Sequence, residues 1–156
     1  MDSAYIDSLL QNLKHEEETV RESATQELWR IWFEQKGMIG YQALQRAQVL
    51  LQAGEFNQAE NILTQLITNM PDFAEAWNRR AVLYFTQQRY YQAISDCQQV
   101  IQLNSSHFGA LHGLGLCYVA LEDYRRAIHA FQQALTVHPY SLENQRMLLE
   151  CTVKLT

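Results

Sequence analysis

The sequence predicts an all-α protein built as a solenoid of stacked helix pairs. Three observations support this fold class. The chain has six glycines and two prolines among 156 residues, a composition that favours long helices over loops and sheets. Apolar residues recur at intervals of three and four, which is the spacing along one helix face. The same pattern returns without a gap at a constant interval, as Ala59, Ala93 and Ala127 show, and this is typical of a repeat architecture.

Composition narrows the class of protein further. Hydrophobic residues make up 47% of the chain, enough for a packed core. Twelve basic residues against seventeen acidic ones give a net charge of −5, and this balance argues against a nucleic-acid binder. Three cysteines at unpaired spacings argue against a disulfide framework and favour a reducing, cytoplasmic location. No apolar run approaches the ~18 residues of a membrane-spanning helix.

Residues 1–39 lie outside the repeating pattern and are predicted to form a helical hairpin. A short helix begins near Ser3, and a longer helix runs from about Glu17 to Gln35. The longer helix is apolar on two sides, so we expect it to have two neighbours, the short helix and the first repeat. One interpretation makes the hairpin an N-terminal cap of the solenoid. The alternative is a second candidate patch, in which exposed aromatic residues contact a partner. These residues are Trp29, Trp32 and Phe33.

Three repeats are predicted, at residues 40–73, 74–107 and 108–141, and each is a pair of helices. Small residues occupy matching columns, so that the paired helices can approach closely. The column of the first helix holds Ala47, Ala81 and Gly115, and that of the second helix holds Ala59, Ala93 and Ala127. Gly54 is positioned to end the first helix of the first repeat.

The last element is predicted to be a capping helix over residues 142–156, with Ser141 as its N-cap. A repeat stack exposes an apolar face at each end, and a terminal helix covers it. We expect the buried stripe of this helix to consist of Leu142, Met147, Leu148, Cys151 and Leu155.

The repeated residues resemble the tetratricopeptide repeat, with Trp77-Asn78-Arg79-Arg80-Ala81 and Asp96-Cys97 similar to one of its varieties. This resemblance implies a right-handed α-α superhelix. The N-terminal hairpin is similar to a HEAT-type hairpin. Arg46 and Arg80 stand in a column that the family usually gives to leucine. We expect both arginines to be partly buried and paired, Arg80 with Asp96, and a ligand-binding arginine is the alternative.

No sequence motif indicates catalysis. The phosphate-loop, nucleophile-elbow and zinc-protease patterns do not occur. The five histidines lack metal-ligand spacing and are interpreted as surface or helix-end residues. Gly113-Leu114-Gly115 falls inside a predicted repeat helix, so we interpret it as a packing feature. We therefore expect no metal, no cofactor and no enzymatic activity.

The resemblance also implies a concave groove lined by the first helix of each repeat. The inward positions in this register are Tyr41, Leu44, Gln48, Leu51, Glu75, Asn78, Val82, Phe85, Gly109, His112, Leu116 and Val119. This surface is mostly apolar, and Leu44 and Gln48 replace the lysine and asparagine with which chaperone adaptors of the family bind acidic tails. We therefore expect an interaction scaffold that binds an amphipathic helix or an extended apolar segment of a partner protein.

Two alternatives remain for the groove and for the role of the chain. The groove is filled by the chain's own N-terminal hairpin or by a second copy, or else it holds an external partner. For the role of the chain, the alternatives are an interaction scaffold and a structural or oligomerising subunit that uses its Trp-rich hairpin. The arrangement of such a hairpin before three repeats is also similar to small repeat proteins of complex assembly.

Overall fold

The computed structural model describes residues 3–156, and within this range the chain forms nine α-helices and no strand. The helices are α1 Ser3–Asn12, α2 Glu18–Phe33, α3 Gly37–Gln52, α4 Phe56–Asn69, α5 Ala74–Thr86, α6 Tyr90–Leu103, α7 Phe108–Ala120, α8 Tyr124–Val137 and α9 Leu142–Lys154. Consecutive helices pack against each other from α3 to α9. The predicted all-α solenoid, a right-handed superhelix of helix pairs, is confirmed. None of the described helices is long and apolar enough to span a membrane.

The turns inside the helix pairs repeat with the same period as the sequence. Gly54, Gln88 and Glu122 occupy the same position in successive repeats, and their φ angles are +79°, +61° and +58°. The amide of the next residue donates back into the preceding helix each time; Glu55, for example, donates to the carbonyl of Leu50 at 2.8 Å. A left-handed residue followed by this bond ends a helix sharply. Gly54 therefore ends α3 as predicted.

The small-residue columns lie where the helices of a pair approach most closely. All six of their residues are buried. Gly115 shows how tight this contact is, because a Cβ atom there would lie 2.5 Å from the Phe131 ring. The core of the repeats consequently consists of alternating small and large side chains, with Phe73, Leu83 and Phe131 fully buried.

The two arginines in the leucine column have different environments. Arg80 makes the predicted two-point bond to Asp96, at 2.8 and 2.9 Å. Its guanidinium also lies over the Trp77 ring. Arg46, in contrast, is exposed. The expectation of a partly buried Arg46 is wrong because α3 is the outermost helix of the repeat stack on that side, so no preceding repeat covers it.

The C-terminal helix caps the stack, with a different buried stripe from the one predicted. Ser141 is the N-cap, and its hydroxyl accepts from the amide of Asn144. Asn144 and Cys151 are buried, with Met147 and Leu148 partly buried beside them. Leu142 and Leu155 are exposed. Leu142 lies half a turn away from Cys151 around the helix, and Leu155 follows the last residue of α9.

The N-terminal hairpin docks along the side of the repeat stack. One face of α2 packs on α1 through a cluster that includes Leu9, Leu13 and Leu28. The other face of α2 contacts α3 and α5. Phe108 of α7 packs in the same cluster as Leu9, Leu13 and Leu28. The hairpin therefore contacts all three repeats, whereas the sequence predicts a contact with the first repeat alone.

Candidate functional site

The centre of the docking region is a fully buried glutamate–histidine pair. Nε2 of His107 lies 2.9 Å from Oε2 of Glu75, and both side chains are inaccessible to solvent. Nδ1 of His107 accepts from the backbone amide of Ala110 and so caps the start of α7. Because Nδ1 is the acceptor, Nε2 is the ring nitrogen that donates a hydrogen bond to Glu75.

Two further donors hold the Glu75 carboxylate. Asn78 donates from Nδ2 at 3.1 Å, and Arg79 donates from Nε at 2.8 Å. Burial by itself raises the pKa of Glu75, but the interactions of its carboxylate with His107, Arg79 and Asn78 outweigh burial and lower that pKa. The carboxylate is therefore a buried anion with three donors, and the guanidinium of Arg79 balances its charge.

Aromatic rings of α2 cover this pair. Trp32 stacks on the His107 ring, with centroids 4.2 Å apart and planes 19° apart. Trp29 meets both His107 and Phe108 edge-on at 5.4 Å. A Cβ atom at Gly109 would lie 2.5 Å from the Trp29 ring. Gly109 thus allows the hairpin to lie directly against the start of α7.

Arginine side chains contact aromatic rings near both ends of α2. Towards its C-terminal end, the guanidinium of Arg79 lies 4.6 Å from the centre of the Phe33 ring. Towards its N-terminal end, Arg21 lies 4.0 Å from the centre of the Tyr140 ring, at the end of the third repeat. Such contacts between a guanidinium and an aromatic ring stabilise packing by roughly 0.5–2 kcal/mol. The long helix therefore spans the whole repeat stack.

The predicted groove residues divide into two groups. Leu44, Glu75 and Asn78 are buried. The expectation that these three residues face a partner is therefore wrong, because the hairpin covers the N-terminal parts of α3 and α5. His112 is partly exposed, but its Nδ1 lies 2.6 Å from Oδ1 of Asn144, so α9 holds the ring. The other predicted positions keep accessible surface, namely Tyr41, Gln48, Leu51, Val82, Phe85, Gly109, Leu116 and Val119.

The second candidate patch is also only partly a surface. Trp32 is buried and has little area to offer another molecule. Trp29 and Phe33 are partly exposed, and their rings lie 6.3 Å apart. The prediction of three exposed aromatic residues is therefore wrong for Trp32, because that side chain packs into the core beneath α2.

A cavity of about 550 Å³ between α2 and α3 brings two of the accessible groove positions, Tyr41 and Gln48, together with Trp29 and Phe33 of the hairpin. Its lining combines the exposed rings of the hairpin with the first groove positions: Gln26, Trp29, Arg30, Phe33, Glu34, Tyr41, Leu44, Gln45, Gln48 and Val49. Arg30 is paired with both Glu27 and Glu34, so its charge is balanced. The cavity is thus an apolar and aromatic site with amide groups at its edge, and it joins the two sites that the sequence treats separately.

Sequence reasoning missed the buried pair and the function of Gly109. His107 is interpreted from the sequence as a surface or helix-end residue; it does cap a helix, but it is fully buried. A signal was present in the spacing, since Glu75 lies at the start of α5 and His107 is the N-cap of α7, the first helices of successive pairs. An acid and an imidazole placed there lie within reach of each other across adjacent first helices. Among residues 3–156, no three His, Cys, Asp or Glu side chains gather as a metal site would require.

The structure therefore places the chain in the class of helical repeat proteins. Comparison with known proteins shows which kind of repeat it resembles. Residues 72–139 match the family model described as tetratricopeptide repeat. A TPR repeat-containing protein of Rhizobium etli is 28% identical over 135 residues, which are 86% of this chain and 66% of the relative. The BBSome complex member BBS4 homolog of Drosophila melanogaster is 28% identical over 77% of this chain and 24% of its own length.

A solved structure supports the same assignment of fold. The first TPR domain of Spaghetti (RPAP3), bound to an HSP90 peptide, superposes with a TM-score of 0.70 at 22% identity. The superposition covers 72% of this chain and 90% of that domain. Residues 72–139 are therefore similar to tetratricopeptide repeats, and the chain shares the fold of a solved domain of that kind. It spans only 66% and 24% of the lengths of the two relatives above.

Proposed function

We propose that this chain is a non-enzymatic interaction scaffold that binds an apolar segment of a partner protein in the cavity between α2 and α3. The observation that carries this proposal is the cavity itself, in which Trp29 and Phe33 of the hairpin face Tyr41 of the first repeat. Concave sites of this size, apolar and with a few polar groups, are the usual form of a binding site.

The chemistry of the lining specifies the kind of guest. Aromatic and aliphatic groups favour burial of apolar side chains at about 25 cal/mol per Å². The amides of Gln26, Gln45 and Gln48 lie at the same cavity and orient a backbone or polar group through hydrogen bonds. Among the described residues that line the cavity, the cation is Arg30, and it is engaged with two glutamates. The guest is therefore an amphipathic helix or an extended apolar segment rather than an acidic tail.

The comparisons support a scaffold role in general terms. The Spaghetti domain with a similar fold binds an HSP90 peptide, so this architecture accommodates a peptide in at least one neighbour. The name of the Drosophila relative refers to a member of a complex, which supports a role in complex assembly for this chain as well. The three cysteines are buried and free, which is consistent with our proposal of a cytoplasmic location.

Affinity capture from the source organism, read by mass spectrometry, tests the proposal with a matched pair of tyrosine variants. Tyr41 lines the cavity, whereas Tyr91 lies exposed on α6, away from it. Tyr41→Asp places a charge in the apolar site, so we expect recovery of the bound partner to fall by about tenfold or more. Tyr91→Asp adds the same charge elsewhere and should leave recovery unchanged.

Circular dichroism of both variants serves as the control for folding. Neither tyrosine is buried, so helicity and thermal midpoint should stay close to those of the unmodified protein. If Tyr41→Asp recovers the same partner in the same amount as Tyr91→Asp, the cavity is not the binding site and the proposal fails.

A further inference from the structure

The outer face of α9 is apolar although it faces solvent. Leu142, Leu149 and Val153 are 78%, 68% and 70% exposed. Their spacings of seven and four place them on one stripe of the helix. The opposite face packs on α8 through Asn144 and Cys151, both buried. Exposed apolar patches of this kind mark contact surfaces, so this stripe indicates a surface that another helix covers.

The second helix of a further tetratricopeptide repeat does not fit this stripe. Leu149 corresponds to Gly115 one repeat earlier and to Ala81 two repeats earlier, in the column where paired helices approach most closely. At Gly115 even a Cβ atom would lie 2.5 Å from the neighbouring Phe131 ring. A leucine in the same column holds a repeat-type helix away. The helix that covers α9 must therefore pack in a different geometry.

Charges beside the stripe indicate which helix that is. Glu143, Arg146, Glu150 and Lys154 follow one another along one edge of the stripe, with signs that alternate. This order of charges is self-complementary. Read from the N-terminus it is acid, base, acid, base, and read from the C-terminus it is base, acid, base, acid, so two antiparallel copies place opposite charges together. The centre of the pattern lies near residue 148.

In an antiparallel pair of identical helices related by a two-fold axis, the same edge of each helix meets. Glu143 then faces Lys154 of the second copy, and Arg146 faces Glu150 of the second copy. Leu142 meets Val153 of the second copy, and the two Leu149 side chains meet near the axis. Within one chain Arg146 and Glu150 lie 3.7 Å apart and are both well exposed, so this pair is weak and free to rearrange.

We propose that the chain self-associates as a symmetric dimer through antiparallel packing of two α9 helices. A second copy supplies both the apolar stripe and the matching charges in one contact, as a two-fold interface requires. One helix per protomer buries less than the ~1,200 Å² of a standard interface, so the dimer is weak and depends on concentration. This surface is separate from the α2–α3 cavity.

Sedimentation equilibrium from about 10 to about 500 μM tests the proposal, a range chosen for an interface of this size. We expect the mean mass to rise from 18.2 kDa towards twice that value and to stop there. Leu149→Glu should keep the protein monomeric throughout. Ile39→Glu is the matched control, because Ile39 is exposed to a similar extent on α3, at the other end of the stack, and does not line the α2–α3 cavity.

Charge exchange tests the orientation. Arg146→Glu brings two acids together across the axis, and we expect dimerisation to weaken by about tenfold. The double variant Arg146→Glu/Glu150→Arg restores the inner pair across the axis with its signs reversed and should restore the dimer. Because the stripe is unchanged in both variants, a purely apolar contact would not respond in this way.

Three results would overturn the dimer. They are a monomer at every concentration, a mass that grows beyond two copies, and loss of association in Ile39→Glu rather than in Leu149→Glu. The test is independent of the cavity, since Leu149→Glu should leave partner capture intact and Tyr41→Asp should leave the mass distribution intact.

Discussion

Gly113 and Gly115 are two residues apart in α7 and have opposite consequences for packing. A Cβ atom at Gly113 would meet only the Cys97 sulfur, at 3.6 Å, which is ordinary contact. A Cβ atom at Gly115 would overlap the Phe131 ring, which is fully buried and cannot retreat. The first glycine is thus a residue with spare room, and the second is required by the close approach of α7 and α8.

Alanine at each of these positions should therefore change stability in opposite directions. Glycine costs a helix interior about 1 kcal/mol relative to alanine, and Gly113→Ala should recover about 0.5–1 kcal/mol of that. Gly115→Ala gains the same propensity but forces the helices apart, so we expect a net loss of about 1–3 kcal/mol. Urea unfolding of the two variants measures both effects. Equal shifts of the same sign would show that helix propensity alone governs α7.

At the scale of the element, the docking of α2 is centred on a buried contact that occurs once in the chain, and no periodic pattern encodes it. His107 stacks on Trp32, donates to Glu75 and caps α7. The same imidazole thus links the hairpin, the second repeat and the third repeat. Because Nδ1 and Nε2 are both engaged, no other residue type supplies all three contacts.

Removing this ring should loosen the hairpin. In His107→Ala, Trp32 loses its stacking partner and Glu75 loses a donor while it remains buried, so we expect a loss of about 2–4 kcal/mol in the free energy of unfolding. Quenching of tryptophan emission by acrylamide should increase, because Trp29 and Trp32 gain solvent access. His129→Ala on the exposed side of α8 is the control. Unchanged quenching in His107→Ala would mean that α2 is held elsewhere.

The contrast between the repeats and the hairpin explains what the sequence could predict. The helix pairs, their turns and the small-residue columns recur once in every repeat because each repeat meets its neighbours in the same way. The docking of α2 occurs once, so no period encodes it. The groove prediction missed the burial of Leu44 and Asn78 for this reason: their columns are correct, but the cover over them comes from residues far away in the chain.

Across the whole molecule, the hairpin connects repeats that would otherwise touch only their neighbours. In a simple solenoid each repeat is stabilised by the next one, and terminal repeats open first. Here α2 contacts α3 and α5 and reaches Phe108 of α7. These contacts add interactions between the first, second and third repeats. Such coupling should make unfolding of residues 3–141 more cooperative than that of the repeats alone.

Trp32→Ala tests this coupling because Trp32 lies at the centre of the shared contact. We expect a loss of about 3–5 kcal/mol from the cavity it leaves. We also expect amide exchange in α1 and α2 to proceed through a separate opening of lower free energy than that of α5. Leu63→Ala removes a fully packed side chain inside the first repeat and should lower stability without separating the two exchange classes. If both variants kept a single class, the repeats would be cooperative without the hairpin, and α2 would be a passive cover.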